Sequence, residues 1–140
     1  MKYILDTCVL SELVKNRPEK KVQKWIEECD EELLYLSVLT IGEIQKGIVR
    51  LKDKTKRNTI QRWLDSDLRE RFAERILPID EDTILTWGIM QGESEVKGLP
   101  IPTIDGLIGA TALTHNLTVV TRDEKDIART GARVLNPWKL

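Results

Sequence analysis

The chain has 140 residues, 41% of them hydrophobic and 32% charged, which is typical of one soluble globular domain spanning residues 1–140 and excludes a disordered chain. Its net charge of −1 excludes a strong overall attraction to nucleic acid. No apolar run is long enough to span a membrane, and we expect no secretory signal at the N-terminus. Two cysteines in no recognisable framework and a single histidine favour reduced thiols, a cytoplasmic protein and no zinc site.

The spacing of apolar residues predicts strands that alternate with helices along the chain. We expect strands at Lys2–Leu5, Leu33–Val38, Ile76–Ile79, Leu117–Thr121 and Ala132–Leu135. Helices are expected at Thr7–Val14, from Pro18 to the acidic stretch Glu27–Glu32, at Leu39–Leu51, Asp53–Glu74, Glu81–Lys97 and Thr103–His115, and in a short segment that ends at Arg129. Pro78 favours an edge strand or an extended connector at its position. This alternation implies an α/β fold of three layers, α/β/α, with a mainly parallel central sheet.

Four acidic residues follow predicted strands or lie in the first turn of a predicted helix. They are Asp6, Glu43, Asp105 and Asp123. In an open α/β sheet, the carboxyl ends of parallel strands and the starts of the following helices lie at the same edge, where ligands bind. We therefore expect at least three of these carboxylates to gather at one rim of the sheet.

Each acid also has a purely structural interpretation. Asp6 and Asp123 suit the N-caps of the helices that follow them. Glu43 has capping-box spacing from Thr40, which is expected to cap its helix. Thr103 is expected to cap the helix that contains Asp105. The dipole of that helix favours a negative charge in its first turn, where Asp105 lies. Gathered carboxylates without a nearby lysine nevertheless repel one another unless a cation lies among them, which favours a metal site.

Ligands that are all oxygen select a hard divalent ion, Mg²⁺ with Mn²⁺ as the alternative, and such an ion predicts hydrolysis of phosphodiester bonds. The ion lowers the pKa of a bound water and neutralises charge on the phosphate, so a histidine base is not required. His115 is therefore predicted to be a helix-terminal residue without a catalytic role. The hydroxyls of Thr7 and Thr121 are candidates to support metal-bound water or a carboxylate, and their alternative roles are ordinary capping and strand positions.

A basic segment, residues 46–62, suggests a different function. It holds seven Lys or Arg and one acid, Asp53. Such a segment could follow an RNA backbone, contact a protein or simply face solvent. The main alternative to a nuclease is therefore a non-catalytic RNA- or protein-binding module that uses this segment. A phosphatase of haloacid-dehalogenase type is disfavoured because Cys8 occupies the position of its second aspartate.

Four short stretches, in this order and spacing, resemble the acidic motifs of the PIN domain family. They are Leu5-Asp6-Thr7, Thr40-Ile-Gly-Glu43, Thr103-Ile-Asp105 with its Gly/Ala run, and Thr121-Arg-Asp123. The closing Asn136-Pro137-Trp138 is similar to that of a subgroup of bacterial VapC/FitB-type toxins. The resemblance covers nearly the whole chain.

Membership would imply a Mg²⁺-dependent endoribonuclease, the toxin of a type II toxin–antitoxin pair, acting on an RNA such as tRNA. It would also imply a homodimer that a cognate antitoxin covers and inhibits, with a higher-order assembly with the antitoxin as the alternative. The metal-binding catalytic acids would be Asp6, Glu43, Asp105 and Asp123. Two positions depart from the usual pattern. Cys8 stands where Asn is common, and many relatives have Asn at position 123 with an acid three residues later, so Asp126 is a second candidate for the fourth acid.

Overall fold

The computed structural model describes all 140 residues and contains one five-stranded parallel sheet. The strands are β1 (Lys2–Leu5), β2 (Leu34–Ser37), β3 (Ile76–Leu77), β4 (Leu117–Val120) and β5 (Arg133–Leu135). Their order across the sheet is β3-β2-β1-β4-β5, so β1 is central. Strand β3 ends directly before Pro78 and is an edge strand, one of the two structures predicted there. The chain order reverses between β1 and β4, and ligands of open α/β sheets bind at such a switch point.

The helices confirm the predicted alternation, with most boundaries shifted by one or two residues. They are α1 (Thr7–Leu13), α2 (Lys20–Glu28), α3 (Val38–Val49), α4 (Lys54–Arg62), α5 (Arg69–Arg71), α6 (Glu81–Val96), α7 (Thr103–His115) and α8 (Glu124–Ala128). A π-helical turn, Trp63–Leu68, interrupts the long helix predicted for residues 53–74. None of the helices combines the length and apolar character needed to cross a bilayer.

Two apolar cores, one on each face of the sheet, confirm the three-layer architecture. Successive side chains of a strand point to opposite faces, and the fully buried Ile4 and Leu5 accordingly belong to different cores. The larger core joins β1 and β2 to α1, α2, α3 and the π-helical turn. The smaller core joins β1 and β4 to α7 and α8. Burial of β1 on both faces fixes the position of the residues that follow it.

Two of the predicted helix caps are wrong. Helix α3 begins earlier than predicted, because Ser37 ends β2 in an extended conformation and its Oγ accepts a hydrogen bond from Leu39 N at 3.0 Å. Thr40 therefore lies inside the helix, and Glu43 is not part of a capping box. Helix α7 begins at Thr103, and the preceding residue is Pro102, which has no side-chain acceptor with which to cap it.

A reciprocal pair of side-chain amides attaches α4 to α3. Gln45 Nε2 donates to Gln61 Oε1 at 2.8 Å, and Gln61 Nε2 donates to Gln45 Oε1 at 2.9 Å. We expect Gln61→Ala to lower the free energy of unfolding by about 1–2 kcal/mol, because Gln45 loses both partners in a partly buried position. Urea denaturation measures this loss. Gln23→Ala, at an exposed position of α2, should change it by less than about 0.5 kcal/mol, and equal losses in both variants would contradict the assignment.

Candidate active site

The predicted acids meet at the carboxyl edge of the sheet, around the switch point. Asp6 follows β1 and Asp123 follows β4, while Glu43 and Asp105 project from α3 and α7. An open cleft of about 400 Å³ lies between them. The residues that line it are Asp6, Thr7, Cys8, Glu43, Asp105, Arg122 and Asp123. The arrangement expected from strand ends and helix starts is therefore present for all four carboxylates.

Asp6 is the most enclosed of these acids, with only 9% of its surface exposed. Its Oδ1 accepts a hydrogen bond from Thr7 N at 2.9 Å, so it also caps α1, and its Oδ2 accepts one from Thr121 Oγ1 at 2.8 Å. Burial raises the pKa of Asp6, and the charges of Glu43 and Asp123 raise it further, while the two hydrogen bonds oppose this shift. A buried carboxylate held at both oxygens is fixed in orientation.

The two threonines predicted as supporting residues each hold a carboxylate. Thr7 Oγ1 donates to Glu43 Oε1 at 2.7 Å and thereby links α1 to α3. Thr121 Oγ1 donates to Asp6 and also accepts a hydrogen bond from Asp123 N at 3.0 Å. Thr121 thus joins the segment after β1 to the segment after β4, and it sets the spacing of the two acids at the switch point.

Three of the acids lie close together near the start of α7. Carboxylate oxygens of Asp105, Asp123 and Asp126 all lie within 4.8 Å of one another. The sequence left open whether Asp123 or Asp126 is the fourth acid, and the structure places both beside Asp105. Asp126 is also paired with Arg129 at 3.6 Å. None of the four predicted acids forms an ion pair within 4 Å.

The donor set of the cleft fits a hard divalent ion. Partial burial, and then the charges of the surrounding acids, raise the pKa of Asp105 to about 6, so both effects disfavour its charged form. A divalent cation relieves this repulsion, and carboxylate oxygens are the ligands that Mg²⁺ and Mn²⁺ prefer. Burial also raises the pKa of the Cys8 thiol, so Cys8 remains protonated at neutral pH and is a poor ligand for a hard ion.

Cys8 lies in the first turn of α1 and contacts the segment after β4. Its Sγ accepts a hydrogen bond from Arg122 N at 3.4 Å and lies 3.6 Å from Thr121 Oγ1. The thiol therefore supports the segment after β4. His115 is the last residue of α7 and is not among the residues that line the cleft.

The sequence model of the PIN domain family matches residues 3–132. The chain belongs to the PIN domain family. The toxin FitB of Neisseria gonorrhoeae is 35% identical over 135 residues, which cover 96% of this chain and 97% of that protein. The VapC ribonuclease Y4jK of Sinorhizobium fredii is 34% identical over 136 residues, with 97% of each chain covered.

Solved structures agree with this PIN domain assignment. The crystal structure of FitAcB from Neisseria gonorrhoeae superposes with a TM-score of 0.93 at 35% identity and covers 99% of both chains. The structure of FitAB bound to an IR36 DNA fragment gives a TM-score of 0.91 at 33% identity and covers 99% of this chain and 96% of that one. The family suggested by the acidic motifs and the three-layer fold predicted from the alternation of strands and helices are thus confirmed.

The raised pKa of Asp105 predicts how the stability of this PIN domain depends on pH in the absence of divalent metal. The unfolded carboxyl has a pKa of 3.8 and the folded one of about 6, so folding favours the protonated form. The contribution of Asp105 to the free energy of unfolding is most favourable below pH 4 and is lost as the pH rises through 6. In EDTA, the melting temperature of Asp105→Asn should therefore exceed that of the parent by a margin that grows from pH 4 to pH 7.

Thermal melts of the two proteins at several pH values measure this margin. Addition of Mg²⁺ should shrink it at pH 7, because the ion stabilises the charged parent and not the variant. A margin that stays constant with pH would contradict the assignment of the shift to Asp105.

Proposed function

We propose that this chain is a metal-dependent endoribonuclease and the toxin of a type II toxin–antitoxin pair, with residues 1–140 forming one nuclease domain that acts in the cytoplasm. The observation that carries this proposal is the convergence of four carboxylates in one open cleft, where none of them forms an ion pair within 4 Å. The similarity to proteins named as a toxin and as a ribonuclease supports it further. The proposed substrate is RNA, with tRNA as one class to test.

The proposed ligands of Mg²⁺, or of Mn²⁺ in its place, are Asp6, Glu43, Asp105 and Asp123. When bound, the ion supplies a water of lowered pKa and neutralises charge that develops on the phosphate and the leaving oxygen. Asp6 and Glu43 keep their orientation because Thr121 and Thr7 donate to them. We assign Asp126 a supporting place at the edge of this set, because Arg129 already neutralises part of its charge.

The proposed protein partner is a cognate antitoxin. An apolar groove of about 250 Å³ adjoins the acidic cleft and shares Thr7 and Glu43 with it. Ile44, Ile60 and Trp63 contribute apolar surface to the groove. A segment of an antitoxin seated there would also reach the acids, which is a direct route to inhibition.

The proposed oligomer is a homodimer formed through α6. This helix exposes large apolar side chains, with Leu85 57% exposed, Ile89 66% exposed and Val96 90% exposed. A row of such residues on one helix is costly in water and favours a protein contact.

The basic segment, residues 46–62, favours contact with RNA whether the protein is a nuclease or a non-catalytic binding module. Nearly all of its Lys and Arg side chains are exposed, and none forms an ion pair within 4 Å. A nuclease would use these charges to hold the RNA that its acids cleave, whereas a non-catalytic module would use the charges to bind RNA without cleaving it. The two classes differ in their response to metal, since only the nuclease depends on the acids.

Metal removal separates the two classes. We expect the purified protein to cleave RNA in Mg²⁺ or Mn²⁺, and EDTA should reduce the rate by at least about a hundredfold, because the ion provides several kcal/mol of transition-state stabilisation. Gel analysis of RNA fragments measures the rates, and restored Mg²⁺ should restore cleavage. Binding of RNA that survives EDTA without any cleavage in Mg²⁺ would favour the binding module.

A further inference from the structure

One cation, Arg122, lies among the acids of the cleft. Its guanidinium forms no ion pair within 4 Å, although Asp6, Glu43, Asp105 and Asp123 line the same space. Instead, its Cζ lies over the ring of Trp138, 5.3 Å from the ring centroid. An arginine that stacks on an aromatic face beside carboxylates, and does not pair with them, keeps its N–H donors available for another group.

Both partners of this stack are held in place by the surrounding chain. Arg122 N donates to Cys8 Sγ at 3.4 Å, so the backbone that carries the guanidinium is tied to α1. Trp138 N donates to Asn136 Oδ1 at 2.9 Å within a closing 3-10 turn, and Trp138 packs against the larger core. Lys139 pairs with Glu124 at 2.5 Å and fastens this turn to α8. Such a pre-positioned guanidinium loses little side-chain entropy when it binds a ligand.

The chemistry of this site matches a phosphate. A guanidinium is planar, always charged and able to donate two parallel hydrogen bonds to phosphate oxygens. An anionic backbone that enters a cleft lined by carboxylates is repelled by them, and a free cation at that place offsets the repulsion. We propose that Arg122, stacked on Trp138, binds a backbone phosphate of the RNA substrate and so positions the strand at the acidic cleft. This inference rests on the proposed ribonuclease function and adds a substrate contact to it.

Cleavage kinetics at several salt concentrations test this contact. Arg122→Ala should raise the KM for RNA about tenfold and change kcat by less than about threefold, because it removes binding that is equal in the ground and transition states. The slope of log kcat/KM against log salt should become shallower by about 0.7, the value for one phosphate contact on a single strand. Arg122→Lys keeps the charge and should keep the salt slope, while it loses part of the affinity because it lacks the planar fork.

Two further variants show whether the effect of Arg122→Ala comes from a lost phosphate contact or from a general loss of charge or stability. Trp138→Leu should raise KM by a smaller factor with the salt slope unchanged, since the guanidinium remains but is less well positioned. Arg133→Ala is the matched control, because Arg133 pairs with Asn116 Oδ1 and begins β5, away from the residues that line the cleft. It should leave both KM and the salt slope unchanged. Melting temperatures of all variants show whether each is folded.

The outcomes distinguish this inference from the proposed function. If the parent protein neither cleaves nor binds RNA, the ribonuclease proposal fails and this inference fails with it. If the parent cleaves RNA but Arg122→Ala matches Arg133→Ala in KM and salt slope, only this inference is overturned, and a role for Arg122 in binding a protein carboxylate takes its place. A loss confined to kcat would also overturn it, because it would assign Arg122 to the chemical step.

Discussion

Replacement of Asp6 by Asn is expected to reduce the rate of RNA cleavage by about a thousandfold, close to 4 kcal/mol of transition-state stabilisation, as expected for loss of a metal ligand. The fold should be retained. Burial already disfavours the charged form of Asp6, so a neutral side chain of the same shape removes a cost, even though one of its two accepted hydrogen bonds is lost. We therefore expect a free energy of unfolding equal to or above that of the parent in EDTA.

Single-turnover cleavage in Mg²⁺ and urea denaturation in EDTA measure these two effects. Asp105→Asn should show the same combination, an inactive protein that is at least as stable as the parent. Asp67→Asn is the matched control, because Asp67 is exposed in the π-helical turn and outside the cleft. If Asp6→Asn and Asp105→Asn cleave RNA as fast as Asp67→Asn, the catalytic assignment is wrong.

Replacement of Gly109 by Ala is expected to destabilise the fold by about 3 kcal/mol or more, the upper end of the range for overpacking. A Cβ at this position of α7 would lie 2.3–2.5 Å from the side-chain atoms of Thr130. Thr130 cannot turn away easily, because it is buried and its Oγ1 donates to Ile127 O at 2.5 Å and accepts from Ala132 N at 3.2 Å. The gain of about 1 kcal/mol in helix propensity from Gly to Ala offsets only part of this clash.

A double-mutant cycle isolates the contact between the two residues. Gly109→Ala should lower the free energy of unfolding by a smaller amount in a Thr130→Gly background, and we expect a coupling energy of about 1–3 kcal/mol. Gly92→Ala is the control in α6, where an added Cβ meets no atom within 4 Å, and it should stabilise the protein by up to about 1 kcal/mol. Urea denaturation provides all of the values. Equal effects of Gly109→Ala and Gly92→Ala would show that α7 can shift freely.

The sequence predicted the acids because their placement follows from local rules. A buried apolar strand ends directly before Asp6 and another ends shortly before Asp123, and parallel topology then brings both acids to one edge. Glu43 was also predicted at this edge, although the prediction that it forms a capping box with Thr40 was wrong. Capping-box spacing does not reveal that Ser37 caps first or that Thr7, 36 residues earlier, is the actual partner of Glu43.

The contacts that the sequence did not predict depend on distant segments that pack side by side. The stack of Arg122 on Trp138 requires the closing turn to return to the carboxyl edge of β4, and no spacing rule relates these two positions. The proximity of Asp126 to Asp105 likewise depends on the packing of α8 against α7. The interruption of the 53–74 helix by a π-helical turn also leaves no mark in apolar periodicity, because Leu64 and Leu68 are buried and still suit a regular helix.

Separate segments of this chain bring their carboxylates together in one cleft, and we propose that this cleft binds a hard divalent metal. Anomalous diffraction from crystals soaked in Mn²⁺ tests it most directly. We predict a peak in the acidic cleft within bonding distance of Asp6 and Asp105, absent in crystals of Asp105→Asn soaked in the same way. A cleft that binds no Mn²⁺, or a peak that persists unchanged in the variant, would contradict the claim.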